Sequence, residues 1–233
     1  MPSLIPVTSA RLGEHLPLLD LLTDDAPLSW VRGGDGLVGW GSYAKTAVRG
    51  ANRFADARKW WHQQLEKFAI SDSVHLSGTG PVLFASFSFD PDEESVLVIP
   101  KIVVGMRNGS SWITWIGDQP QPALQEEKEI LADAEFNWGD GSLSPAEWQL
   151  RVAIAIEEIE KTELEKVVLA RDLIVNSHRP IDARKILRNL GAEYPSTWIF
   201  AVDGLVGATP ELLLRLSRGM VTSRVLAGTI SKT

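Results

Sequence analysis

The sequence predicts an α+β fold built on large, mostly antiparallel sheets with flanking helices. Strand-like segments outnumber helical ones, hairpin signals join neighbouring strands, and no internal repeat or low-complexity stretch interrupts the pattern.

Each element follows from a local pattern. "GDGLVGWGSYAKTAV" (Gly34 to Val48) alternates loosely and is rich in glycine, as a strand and turn would be. "RFADARKWWHQQLEKFAI" spaces Phe54, Ala57, Trp61, Leu65 and Phe68 along one helical stripe. "PVLFASFSF" sets Val82 and Phe84 on one face against Leu83, Ala85, Phe87 and Phe89 on the other, the period of a strand. In "KIVVGMRNGSSWITWIG" the pair Asn108-Gly109 separates two strand-like runs, a strong hairpin signal. Gln119 to Gly141 reads as a polar loop with a short acidic helical piece.

The clearest helix begins at Ser144. Its hydroxyl can cap the first turn, Pro145 suits the first helical position, and Glu147 completes a capping box. Trp148, Val152, Ala155, Ile156 and Ile159 then form the stripe expected to be buried. "EKVVLARDLIV" (Glu165 to Val175) follows as a strand, and Asp182 to Leu190 as a helix closed by Gly191. "STWIFAVDG", "PELLLRLS" and "MVTSRVLAG" are three more strands, the last two joined near Arg218-Gly219.

Composition excludes several classes of function. The 233 residues, 44 % hydrophobic and 23 % charged, match a soluble globular protein. No apolar run approaches the roughly 20 residues that cross a bilayer, and the N-terminus lacks the pattern of a signal peptide. With no cysteine there is no disulfide framework and no thiolate site. A cytoplasmic location without a membrane partner is therefore expected. The net charge of −7 argues against a nucleic-acid partner but leaves room for a small anion, since one pocket needs only a few cations. Nine tryptophans are present; Trp60-Trp61 and Trp112 with Trp115 read as core anchors.

Several short motifs lack their context. Gly34, Gly36 and Gly39 match a dinucleotide fingerprint but precede a strand instead of following one. There is no P-loop and no nucleophile elbow, and the four histidines are scattered without metal-ligand spacing.

Two polar residues stand out by their neighbours. Lys166 opens "KVVLAR", and burial would favour the neutral amine that a general base needs. Glu211 leads into "LLLRL", where burial would favour a protonated acid able to serve a leaving group. Such residues at strand ends are ordinarily solvated, so the pattern alone leaves a surface role open.

"EKVVLARD", "GATPELLLR" and "VLAGT" occur in that order. Together they resemble the chorismate-utilising family, which includes isochorismate, salicylate, anthranilate and aminodeoxychorismate synthases. The resemblance is strongest from Leu143 to Thr229, and "DGLVGWG" with "RFADARKWW" looks like the N-terminal part of isochorismate synthases. It implies chorismate and Mg²⁺ bound in a central cleft. By motif, Lys166 matches the lysine that activates water for attack at C2, and Glu211 the acid that protonates the departing C4 hydroxyl. Ala227, Gly228 and Thr229 match the segment that lines the substrate pocket.

Within the family, the combination of Lys166 and Ala227 resembles the water-using members. Anthranilate synthases typically lack that lysine, and aminodeoxychorismate synthases typically carry a lysine in place of Ala227. The resemblance thus implies isochorismate synthase, an isomerase, serving menaquinone or siderophore biosynthesis. Salicylate synthase and a non-catalytic chorismate-binding fragment are the alternatives. It also implies that the Mg²⁺ ligands lie beyond Thr233. Residues 1–233 are accordingly expected to form a single, incomplete α+β domain, inactive alone, with its motifs concentrated in 143–233.

Overall fold

Asn108 and Gly109 both adopt positive φ, 50° and 77°, the backbone that a two-residue hairpin turn demands. In this computed structural model, which describes residues 3–13, 15–23, 26–124, 135–217 and 219–224, that hairpin lies near the middle of a nine-stranded sheet. The chain divides into two compact units, residues 1–130 with 182–233, and residues 131–181.

The first unit contains β1 (Ile5–Arg11), a 3-10 turn (Leu18–Leu21), β2 (Leu28–Arg32), β3 (Asp35–Val48), α1 (Arg53–Leu65), β4 (Phe68–Asp72), β5 (Phe84–Ser86), β6 (Ser95–Arg107) and β7 (Ser110–Ile116). The second contains β8 (Phe136–Asp140), α2 (Pro145–Lys161) and β9 (Leu173–Ser177). The chain then returns to the first unit with α3 (Ala183–Glu193), β10 (Trp198–Val202), β11 (Leu205–Thr209), β12 (Leu212–Ser217) and β13 (Met220–Arg224).

The large sheet runs β11-β10-β2-β3-β6-β7-β1-β4, with β5 added to β6. Every pairing in it is antiparallel except β1 with β4. Both expected features, mixed α and β structure and a large, mostly antiparallel sheet, are present. One face of the sheet packs α3 and the 3-10 turn through Leu18, Val38, Val104, Ile113 and Leu187. Elsewhere, Val7, Phe68, Ile99 and Ile116 collect Trp60, Trp61 and Leu65 of α1. Trp112 and Trp115 are buried as expected of core anchors.

Several local expectations needed correction. The helix expected to Ile70 stops at Leu65, because Phe68 to Asp72 pair with β1 as a strand. Phe54, placed on the buried stripe, is 56 % exposed. Only three residues of "PVLFASFSF" enter the sheet. β8 lies inside the span expected to be loop, because its residues pair with β9. Gly191 does not close α3 but sits inside it, where a Cβ would stand 2.7 Å from Leu19 Cδ1. "LVGAT" forms β11, a strand the pattern did not reveal, turned back on β10 by Asp203 and Gly204 with φ of 50° and 86°.

In the second unit the capping box forms as expected. Ser144 Oγ accepts from the Glu147 N–H at 3.3 Å, and Glu147 Oε2 accepts from the Ser144 N–H at 2.9 Å. Trp148, Val152, Ala155 and Ile159 are the half-buried face of α2, while Ile156 is exposed. No described residue of this unit is fully buried, so the expected buried stripe is only half covered. A single helix and a two-stranded sheet have too little surface to enclose a core.

Candidate active site

Glu211 owes its position to Pro210. Proline fixes φ and lacks the N–H a ladder needs, so β11 ends at Thr209 after pairing with β10. β12 begins at Leu212 and pairs with β13 in a separate two-stranded sheet. The Glu211 N–H donates to Thr209 Oγ1 at 3.1 Å, a short side-chain turn that fixes the backbone at this change of sheet. The side chain of Glu211 is exposed, not half-buried as expected. Its backbone holds it at a strand junction.

Lys166 belongs to the second unit. Thr162 ends α2, with its Oγ1 accepting from the Leu164 N–H at 3.1 Å. The residues from Leu164 to Asp172 then follow without regular structure, and β9 starts only at Leu173. Lys166 is exposed, as are Val167, Val168 and Leu169 at 41 %, 83 % and 38 %. The strand expected from Glu165 therefore reduces to its C-terminal part. Its apolar residues suggested a buried strand, but none of them is buried.

Polar contacts hold the C-terminal end of that segment. Ser142 donates through its N–H and Oγ to Asp172, and Arg171 pairs with Asp140 at 3.2 Å. The Ser142 hydroxyl and then its N–H hold the Asp172 carboxyl below its ordinary value. A Cβ on Gly141 would come 2.3 Å from the Asp172 carboxylate, so this turn needs a glycine for close approach.

Lys166 and Glu211 are carried by different units, and Ala227, Gly228 and Thr229 lie outside the described residues. Among the described residues no three His, Cys, Asp or Glu side chains come together as a cation site. They supply no Mg²⁺ ligand set, and no step below is routed through a metal. No helix among them is long and apolar enough to cross a membrane.

A feature that sequence reasoning missed lies in the first unit. A cavity of about 1080 Å³ is lined by Arg32, Arg107, Arg215, Arg224, His75 and Trp198, among others. It shares Arg32, Arg107, Trp198 and Leu212, the residue after Glu211, with a neighbouring cavity of about 540 Å³. The four arginines come from the ends of β2 and β6 and from the β12–β13 hairpin. They form no cluster in sequence beyond the Arg215–Arg224 hairpin, and composition offered only the general allowance that one pocket needs a few cations.

Comparison with known proteins gives a consistent set of relatives. The sequence model of a family described as "Chorismate binding enzyme" matches residues 32–233. Isochorismate synthase MenF of Bacillus subtilis (strain 168) is 27 % identical over 231 residues, covering 84 % of this chain and 49 % of that protein. A putative isochorismate synthase of Aeromonas hydrophila is 30 % identical over 170 residues, covering 68 % and 40 %. The chain thus spans about half the length, or less, of these curated relatives. Among solved structures, MenF, the menaquinone-specific isochorismate synthase from Escherichia coli, superposes with a TM-score of 0.62 at 18 % identity. That match covers 90 % of this chain and 51 % of the other, and it establishes likeness of fold.

Proposed function

The chain belongs to the chorismate-binding enzyme family, and on that premise we propose that the protein converts chorismate to isochorismate. One observation carries the choice of reaction within the family: Lys166 stands in "EKVVLAR" while Ala227 opens "AGT". That combination resembles the water-using members, and the relatives named above are isochorismate synthases. Mg²⁺ dependence, a cytoplasmic location and service to menaquinone or siderophore synthesis belong to the same proposal.

In the proposed reaction the Lys166 amine takes a proton from water, whose oxygen forms a bond to C2 of the ring. The two ring double bonds each shift by one position and the C4–O bond breaks. Glu211 gives its proton to the departing hydroxyl, which leaves as water, so one water enters and one leaves. A positioned general base contributes about 10²–10⁴-fold. Both side chains are solvent-exposed here, so the reading requires them to be enclosed when substrate binds. Exclusion of water then strengthens each proton transfer.

Product analysis tests the proposal. The active enzyme is incubated with chorismate, Mg²⁺ and excess ammonium, and the products are separated by chromatography. Isochorismate as the main product supports it. Salicylate with pyruvate would move the protein to the salicylate branch, and anthranilate would overturn the role given to Lys166.

A further inference from the structure

We propose that the arginine-lined cavity of the first unit is a binding site for a small dianion, a molecule carrying two negative charges on oxygen. The site uses neither Lys166 nor Glu211, so it stands apart from the isochorismate reading.

The first ground is unbalanced charge. Four guanidinium groups elsewhere have carboxylate partners: Arg49 with Glu94, Arg171 with Asp140, Arg184 with Asp182 and Arg188 with Asp20. Other described arginines without one, such as Arg53, do not gather around a shared cavity. Among the described residues, Arg32, Arg107, Arg215 and Arg224 have no carboxylate within ion-pair distance, although all four line the cavity. The one carboxylate among the described residues that lines either cavity is Asp35, whose Oδ1 accepts from the Asn108 N–H at 3.0 Å. The walls thus carry a local positive excess in a chain of net charge −7. Like charges gathered around one space repel, and an anion between them removes that repulsion.

The second ground is independent of charge. Arg107 Nε and Trp198 Nε1 are shielded from solvent and find no acceptor among the described residues. Both residues line both lobes. A shielded donor without an acceptor is unfavourable, and an oxygen ligand would satisfy it. Guanidinium groups in particular match carboxylate or phosphate oxygens with paired N–H donors.

The rest of the cavity sets the size and shape of the ligand. Trp198 stacks on Trp30 with ring centroids 5.2 Å apart, and the Arg32 guanidinium lies 5.7 Å from the Trp198 ring centroid. This pins one arginine and one indole as a preformed wall. Leu212, Leu216 and Met220 supply an apolar side opposite in character. The volume suits a small molecule.

Titration of the intact chain separates the two sources of such a dianion. Inorganic pyrophosphate and the dicarboxylate fumarate are added separately, followed by calorimetry and tryptophan fluorescence. Saturable one-to-one binding of either is expected, and the one that binds identifies the source. Arg107→Gln and Arg224→Gln should each weaken it by about tenfold or more, because each removes a charged hydrogen-bond donor. Arg107→Lys should fall between, and Arg49→Gln, outside the cavity, should leave it unchanged. Arg224 is exposed on β13, so that variant carries the test even if Arg107→Gln unfolds. Absence of saturable binding by both anions at millimolar concentration, or binding indifferent to Arg224→Gln, would overturn the proposal.

Discussion

Gly105 on β6 lies opposite Trp112 on β7, and a Cβ built on Gly105 would stand 2.2 Å from the indole ring. Trp112 is fully buried, and its Nε1 donates to the Gly78 carbonyl at 3.3 Å. Its ring fills the volume that a side chain at 105 would occupy. Gly105→Ala should therefore destabilise the first unit by about 1–3 kcal/mol or more, as overpacking does, read by urea unfolding.

Gly191→Ala is the contrasting case. The nearest atom to its Cβ is a terminal methyl of Leu19, at 2.7 Å, which can rotate away. Alanine also gains about 1 kcal/mol over glycine inside a helix. Stability should change by less than about 1 kcal/mol, and a loss as large as that of Gly105→Ala would contradict this reading of α3.

The capping box makes α2 sensitive to acid. The Ser144 hydroxyl and then its N–H lower the Glu147 pKa below its ordinary value. Because the folded value is depressed, the contribution is present above the ordinary glutamate range. It is lost as pH falls through the folded value. Amide exchange at the start of α2 should accelerate in that acid window. Ser144→Ala should weaken the pH dependence without abolishing it, because the backbone N–H at 144 still donates to Glu147. That substitution should itself cost about 1 kcal/mol of helix stability.

These contrasts show what the sequence could reveal. Asn108-Gly109 and Ser144 to Glu147 were legible because each is a local bargain among four or five residues. The parallel pairing of β1 with β4 joins residues some sixty apart, and no local pattern announces it. Gly191 was misread as a cap because glycine after a helical run is a stop signal in sequence, whereas here the helix continues through it to Glu193. Lys166 and Glu211 were found by motif, but their exposure was not, since apolar neighbours signal burial only where something packs over them. Of the cavity arginines only Arg215 and Arg224 are close in sequence, on one hairpin, while Arg32 and Arg107 join them only in three dimensions.

Lys166→Ala tests the proposed base. Turnover of chorismate by the active enzyme should fall by about 10²–10⁴-fold, with the far-ultraviolet circular dichroism unchanged because Lys166 lies outside any helix or strand. Near-normal turnover would remove Lys166 from the reaction.

Glu211→Gln tests the proposed acid. The amide keeps the shape but donates its proton poorly, so kcat should fall far more than KM changes. A change confined to KM would make Glu211 a binding residue.

The oxygen of the product reports the central claim most directly. With chorismate in water enriched in oxygen-18, attack by water at C2 predicts isochorismate labelled in its ring hydroxyl, while the enolpyruvyl and carboxylate oxygens remain unlabelled. Mass spectrometry of product fragments reads this in one experiment. Isochorismate that retains the original C4 oxygen, with no label at C2, would contradict the water-addition mechanism.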